Sequence, residues 1–139
     1  MPIDDLARSE VLTADTEQSI ADVASTMDEE SVGSVVVTDG DAPIGIVTDR
    51  DLTVRVLSEQ ADPSGLTVGD VMTADLYTIE RSAGFYDATS LMSEHGIRRL
   101  PVVEDGSLVG IITADDLTEL LADEEQQLAE VIRAQRPAY

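Results

Sequence analysis

Gly45-Ile46-Val47-Thr48-Asp49-Arg50-Asp51-Leu52 returns sixty-five positions later as Gly110-Ile111-Ile112-Thr113-Ala114-Asp115-Asp116-Leu117. Each copy is a glycine-led apolar run that ends in Thr-x-x-Asp and opens onto a further apolar pattern. The arrangement predicts a strand running straight into a helix. Threonine and aspartate then form a capping box, with the hydroxyl accepting from a first-turn N–H and the carboxylate at the positive helix end. The same geometry suits a ligand, because open N–H groups at a helix start attract an anion and the threonine adds a hydroxyl donor. The glycine three residues before the threonine lets another surface approach the strand closely.

Outward from these motifs, the whole chain is a duplication. Residues 3–59 align on 68–124 without a gap, with identities at Asp5/Asp70, Thr13/Thr78, Asp22/Asp87, Met27/Met92 and Val37/Val102. Each copy starts with a short β-leaning piece, residues 11–13 or 76–78. Next comes an amphipathic helix, carrying Ile20, Val23, Ala24 and Met27 behind an N-cap at Ser19, or Phe85, Ala88, Leu91 and Met92 ahead of a glycine stop at Gly96. A hairpin follows, turning through Asp39-Gly40-Asp41 or Asp105-Gly106. A second helix, beginning near Asp49 or Ala114, closes the unit. The predicted fold is α/β (α+β): two pseudo-symmetric β-α-β-β-α repeats, residues 1–62 and 63–125, packed sheet to sheet because neither half alone buries its sheet and helices. Leu117, Leu120, Leu121, Leu128, Val131 and Ile132 carry an apolar stripe into a helical extension, 126–139, expected to pack on the first helix or on a second subunit.

Composition narrows the function classes. Of 139 residues, 42% are hydrophobic and 3% aromatic, so the core is aliphatic. The longest apolar run, residues 108–112, is far short of the roughly 20 that span a bilayer, and the acidic start of the chain does not resemble a signal peptide. Cysteine is absent, which excludes disulfides and thiol chemistry. The net charge of −21, with eight arginines and no lysine, repels nucleic acid and anionic membranes. The acid excess is spread along the chain, and at molar salt a Debye length of about 3 Å screens its self-repulsion. A cytoplasmic protein of a salt-rich, halophilic cell is the expectation.

The repeated octapeptides, Ile97-Arg98-Arg99-Leu100-Pro101-Val102-Val103, Val32-Gly33-Ser34-Val35-Val36-Val37 and Asp70-Val71-Met72-Thr73 together resemble a tandem pair of CBS domains, the module named after cystathionine β-synthase. The resemblance covers all but the C-terminal tail. It implies a regulatory, non-catalytic module that binds adenosine-containing ligands (AMP, ADP, ATP, S-adenosylmethionine, sometimes NAD or dinucleotides), and it implies a homodimer. No cofactor is implied. The regulated target is expected to be a separate protein. The alternative is an interaction scaffold with vacant clefts.

Carried over residue by residue, the resemblance implies two sites. The first joins Thr48, Arg50 and Asp51 to Leu76, Tyr77, Thr78 and Ile79 and to Arg98 and Arg99, with ribose on Asp51 and phosphate between Thr48 and arginine. The second joins Thr113 and Asp116 to Val11, Thr13, Ala14, Val32, Gly33 and Ser34. There Gly33 and Ser34 replace the arginine pair, so this site is expected to lack a cation and to take a nucleoside or S-adenosylmethionine. The first is expected to prefer phosphates, since charge-assisted bonds to arginine contribute roughly 1.5 to 3 kcal/mol each. Arg55, a turn further into its helix, is expected to pair with a surface acid. His95, the sole histidine, reads as a helix-end residue, and Asp28-Glu29-Glu30 as a solvated helix end. No nucleophilic triad or Walker-type glycine loop is present in the sequence.

Overall fold

The computed structural model describes residues 2–137. The first repeat forms β1 (Thr13–Ala14), α1 (Ile20–Glu30), β2 (Ser34–Asp39), β3 (Ala42–Thr48) and α2 (Asp49–Leu52), which continues as a π-helical turn over Thr53–Leu57. The second forms α3 (Val68–Val71), β4 (Ile79–Glu80), α4 (Phe85–His95), β5 (Arg99–Glu104), β6 (Ser107–Thr113) and α5 (Ala114–Ala134). Two three-stranded sheets result, ordered β1-β2-β3 and β4-β5-β6. In each, the first strand runs parallel to the second and the second antiparallel to the third. Even the irregularity repeats: register shifts fall at Val37/Thr38 and at Val102/Val103. The mixed α+β duplication is thus observed as predicted.

Local chemistry explains the elements. Ser19 accepts from the Asp22 N–H and starts α1, which buries Ile20, Val23 and Met27 on one face. The Asp87 carboxylate accepts from the Gly84 N–H at 2.9 Å to start α4, and Gly96 ends it in the left-handed conformation at φ 63°. The leading strands are shorter and later than the apolar pattern predicts. Their ladders begin only where the chain reaches β2 or β5: Val36 N–H donates to Leu12 O at 3.0 Å and Arg81 N–H to Val103 O at 2.9 Å.

The segment leading into each repeat packs on the other one. Ile3, fully buried, belongs to the core formed by Ile79, Ala88, Met92, Leu100, Val102, Ile112 and Leu117. Val68 and Val71 belong to the core of Ile20, Val23, Met27, Val35, Val37 and Val47. Backbone bonds hold the exchange. Arg8 and Ile111 bond in both directions at 2.9 and 3.0 Å, and Thr73 and Ile46 do so at 2.8 and 3.0 Å. The repeated glycines make this approach possible: a β-carbon at Gly45 would lie 3.0 Å from Thr73 O and 2.8 Å from Met72 Sδ, and one at Gly110 would lie 2.9 Å from Arg8 O. The exchange joins the halves, because removing a leader from the opposite core exposes an aliphatic side chain whose burial contributes about 1.5–3 kcal/mol. β3 also meets β6 between the halves.

Helix α5 continues unbroken through residue 126, packing against β6 and α4. Its Leu121, Leu128, Val131 and Ile132 are exposed. The last two residues of the expected extension, 138 and 139, lie outside the described ones. Among the described residues, no helix is long and apolar enough to cross a membrane.

Candidate functional site

Both of the repeated Thr-x-x-Asp motifs are capping boxes, and Thr67 and Asp70 form another at the start of α3. Asp51 N–H donates to Thr48 Oγ1 at 3.1 Å, and Thr48 N–H donates to Asp51 Oδ2 at 2.9 Å. Asp116 N–H donates to Thr113 Oγ1 and Thr113 N–H to Asp116 Oδ2, both at 3.1 Å. Each box engages Oδ2, leaving Oδ1 of a carboxylate only 11–12% exposed for a further partner.

The two halves supply different partners. Asp51 Oδ1 accepts from Thr73 Oγ1 at 3.3 Å and faces Arg55 Nε at 3.7 Å. Arg55, expected to pair with a surface acid, pairs with the mostly buried Asp51, and its Nη1 also donates to Val71 O at 3.2 Å and Met72 O at 2.9 Å, strapping the second repeat's leader to the first repeat. Asp116 Oδ1 accepts twice from Arg8, from Nε at 3.1 Å and Nη2 at 2.7 Å. This hydrogen bonding, with Coulombic attraction from Asp116 next and Glu119 and Asp115 adding less, holds the Arg8 guanidinium above its ordinary pKa. Arg8 and Thr73 are equivalent positions of the duplication, so an arginine in one half stands where a threonine stands in the other.

A cleft of about 470 Å³ opens beside Thr113. It gathers Val11, Leu12, Ser31, Val32, Gly33, Ser34 and Val36 from the first repeat and Arg98, Arg99, Ile111, Thr113 and Asp115 from the second, with Arg8, Glu10 and Glu30 completing the lining. Most of the second predicted group therefore meets here. Asp116 adjoins the cleft through its bonds to Thr113 and Arg8, whereas Thr13 and Ala14 pass into β1, where Ala14 is buried.

The expected division of the arginines is corrected. The β5–β6 register puts Arg99 opposite Thr113, just as Ser34 stands opposite Thr48, so Arg98 and Arg99 border the Thr113 cleft. Arg98 Nη2 pairs with Asp115 Oδ1 at 3.0 Å. Arg99 extends past Gly33 toward Asp49: a β-carbon at Gly33 would lie 3.1 Å from Arg99 Nη2 and 3.2 Å from Asp49 Oδ2. The cleft expected to lack cations is bordered by three. Arg8 belongs to neither predicted group; the sequence signal for it is its alignment with Thr73, where the duplication sets an arginine against a threonine.

In the first predicted group, Thr48 and Asp51 share their capping box and Arg50 is exposed. Leu76, Tyr77 and Thr78 precede β4, which begins at the buried Ile79. The Tyr77 ring stacks on His95, with centroids 3.7 Å apart and planes at 15°, so the histidine at the end of α4 has an aromatic partner. Among the described residues, no group of three or more His, Asp or Glu side chains is placed to hold a metal ion.

A duplicated hairpin-and-helix unit with exchanged leaders and paired capping boxes defines a tandem CBS module. The CBS domain pattern matches residues 3–58 and 68–123, and the chain belongs to that family. It is similar to an uncharacterized protein of Methanopyrus kandleri, with 38% identity over 120 residues, and it covers 61% of that relative's length with 85% of its own. It resembles the solved structure of a putative signal-transduction protein with CBS domains from Burkholderia ambifaria: TM-score 0.79, 28% identity, covering 99% of this chain and 98% of the other. It shares its fold with the CBS domain pair of protein MJ0100, solved in complex with 5′-methylthioadenosine and S-adenosyl-L-methionine: TM-score 0.80, 23% identity, covering 89% and 98%.

Proposed function

We propose that this chain is a regulatory module that binds an adenosine-containing ligand, AMP, ADP, ATP or S-adenosylmethionine, between its repeats and thereby modulates a separate protein. The observation that carries the reading is the cleft of about 470 Å³ at the start of α5, which both repeats line. Its volume falls within the roughly 300–1,000 Å³ of small-molecule sites. Thr113 and the helix start suit an anion, Asp116 Oδ1 suits a ribose hydroxyl, and Val11, Val32 and Ile111 offer apolar surface to a base. A protein of the same fold, solved with two adenosine derivatives, supports the ligand class. A second site is assigned to Thr48, Arg50, Asp51, Leu76, Tyr77, Thr78 and Ile79.

The module works as a homodimer in the cytoplasm, joined through the exposed stripe of α5. Its charge of −21 suits a salt-rich solution. The test is calorimetric titration of AMP, ATP and S-adenosylmethionine in about 2 M KCl, where surface charge is screened, beside Asp51→Ala and Asp116→Ala. Saturable heat lost in one variant identifies the cleft in use. No heat from a folded wild type sinks the sensor. The rival reading, an interaction scaffold with empty clefts, is favoured by one observation: both Asp Oδ1 atoms already have partners within the chain.

A further inference from the structure

We infer that Arg8 is the specificity-determining residue of the Thr113 cleft and commits it to phosphorylated ligands over neutral nucleosides. The inference rests on the reading that a nucleoside enters this cleft. Asp116 Oδ2 is held by its capping box, so Oδ1 is the atom a ligand diol would approach. Arg8 already occupies it with two charge-assisted bonds, at 3.1 and 2.7 Å. The equivalent Asp51 Oδ1 meets a threonine hydroxyl at 3.3 Å and a guanidinium at 3.7 Å. A neutral hydroxyl displaces the weaker partnership far more easily than it displaces an arginine that donates twice to one oxygen.

A phosphate changes the balance, because Arg8 keeps a charged partner when it swings from Asp116 to the ligand. Arg98 and Arg99 border the same space, so three of the chain's eight basic residues converge there. Glu10, Glu30 and Asp115 offset them, leaving a charge-balanced lining in a chain of −21. A multivalent anion meets less repulsion at such a lining than at a surface of uncompensated carboxylates. Phosphate also frees Asp116 Oδ1 for a ribose, so the two halves of a nucleotide assist each other.

The test titrates ATP, adenosine and inorganic tripolyphosphate into wild type, Arg8→Thr and Arg8→Lys at about 0.15 M salt, where the Debye length is about 8 Å. Arg8→Thr restores the residue found at position 73, and melting curves check that each variant is folded. Wild type is expected to bind ATP at least tenfold more tightly than adenosine. Arg8→Thr is expected to shrink that ratio at least tenfold without weakening adenosine, and Arg8→Lys to fall between. An unchanged ratio in Arg8→Thr, or a wild type that prefers adenosine, overturns the inference. If neither nucleoside binds, saturable tripolyphosphate binding lost in Arg8→Thr preserves the anion site and rejects only the nucleoside reading. Silence with all three ligands, or tripolyphosphate binding indifferent to Arg8, overturns the anion site too.

Discussion

Arg8 Nη2 donates to Asp116 Oδ1 at 2.7 Å across 108 positions of sequence, tying the leader of the first repeat to the helix start of the second. Its side chain is 64% exposed and that of Asp116 is 11% exposed, so the two ends of the bond contribute differently. Arg8→Ala is expected to cost under about 1 kcal/mol, as half-exposed ion pairs do. Asp116→Ala also removes a capping box and is expected to cost about 1–2 kcal/mol. Urea denaturation of both variants checks the order, which reverses if the leader depends on the ion pair more than α5 depends on its cap.

The close approach at the repeated glycines makes a sharper prediction. In Gly110→Ala the new β-carbon meets a backbone oxygen at 2.9 Å, and in Gly45→Ala one at 3.0 Å, so no rotamer change relieves either clash. Each substitution is expected to destabilise the fold by about 1–3 kcal/mol. Gly33→Ala meets only the far ends of Arg99 and Asp49, so its expected effect is on ligand affinity and not on the melting temperature. Thermal melts of the three variants compare them directly.

The Tyr77–His95 stack is separable by a double-mutant cycle. Tyr77→Ala, His95→Ala and the double variant are expected to reveal a coupling of about 0.5–1.5 kcal/mol. A coupling near zero would mean that the parallel rings merely adjoin.

The stripe on α5 predicts assembly. Leu128 and Ile132 are each 65% exposed. If the proposed dimer uses them, Leu128→Asp with Ile132→Asp yields a monomer in sedimentation analysis with an intact circular dichroism spectrum. A wild type that is already monomeric, or a variant that stays dimeric, removes α5 from the interface.

Much of this was legible in the residues because it is local. Ser19, Thr48, Thr113 and Gly96 act on the few residues around them, so caps and stops follow from spacing. The hairpins also follow from short-range pattern. The start of β4 did not, since an extended segment such as residues 76–78 becomes a strand only where a partner meets it. Likewise Tyr77 and His95 are eighteen positions apart, and nothing in their spacing announces a stack.

Periodicity and motifs written twice were enough to establish a twofold repeat, the β-α-β-β-α order within it, the two repeated capping boxes and the family, but not the short leading helix α3. Three-dimensional packing is what exchanges the leaders between cores, sets Arg98 and Arg99 on the border of the Thr113 cleft and closes Arg8 on Asp116. An arginine's partner is set by which carboxylate the fold brings within reach of its long side chain. That distance depends on hairpin register and on the packing of one half against the other, and neither is a property of any single stretch of chain.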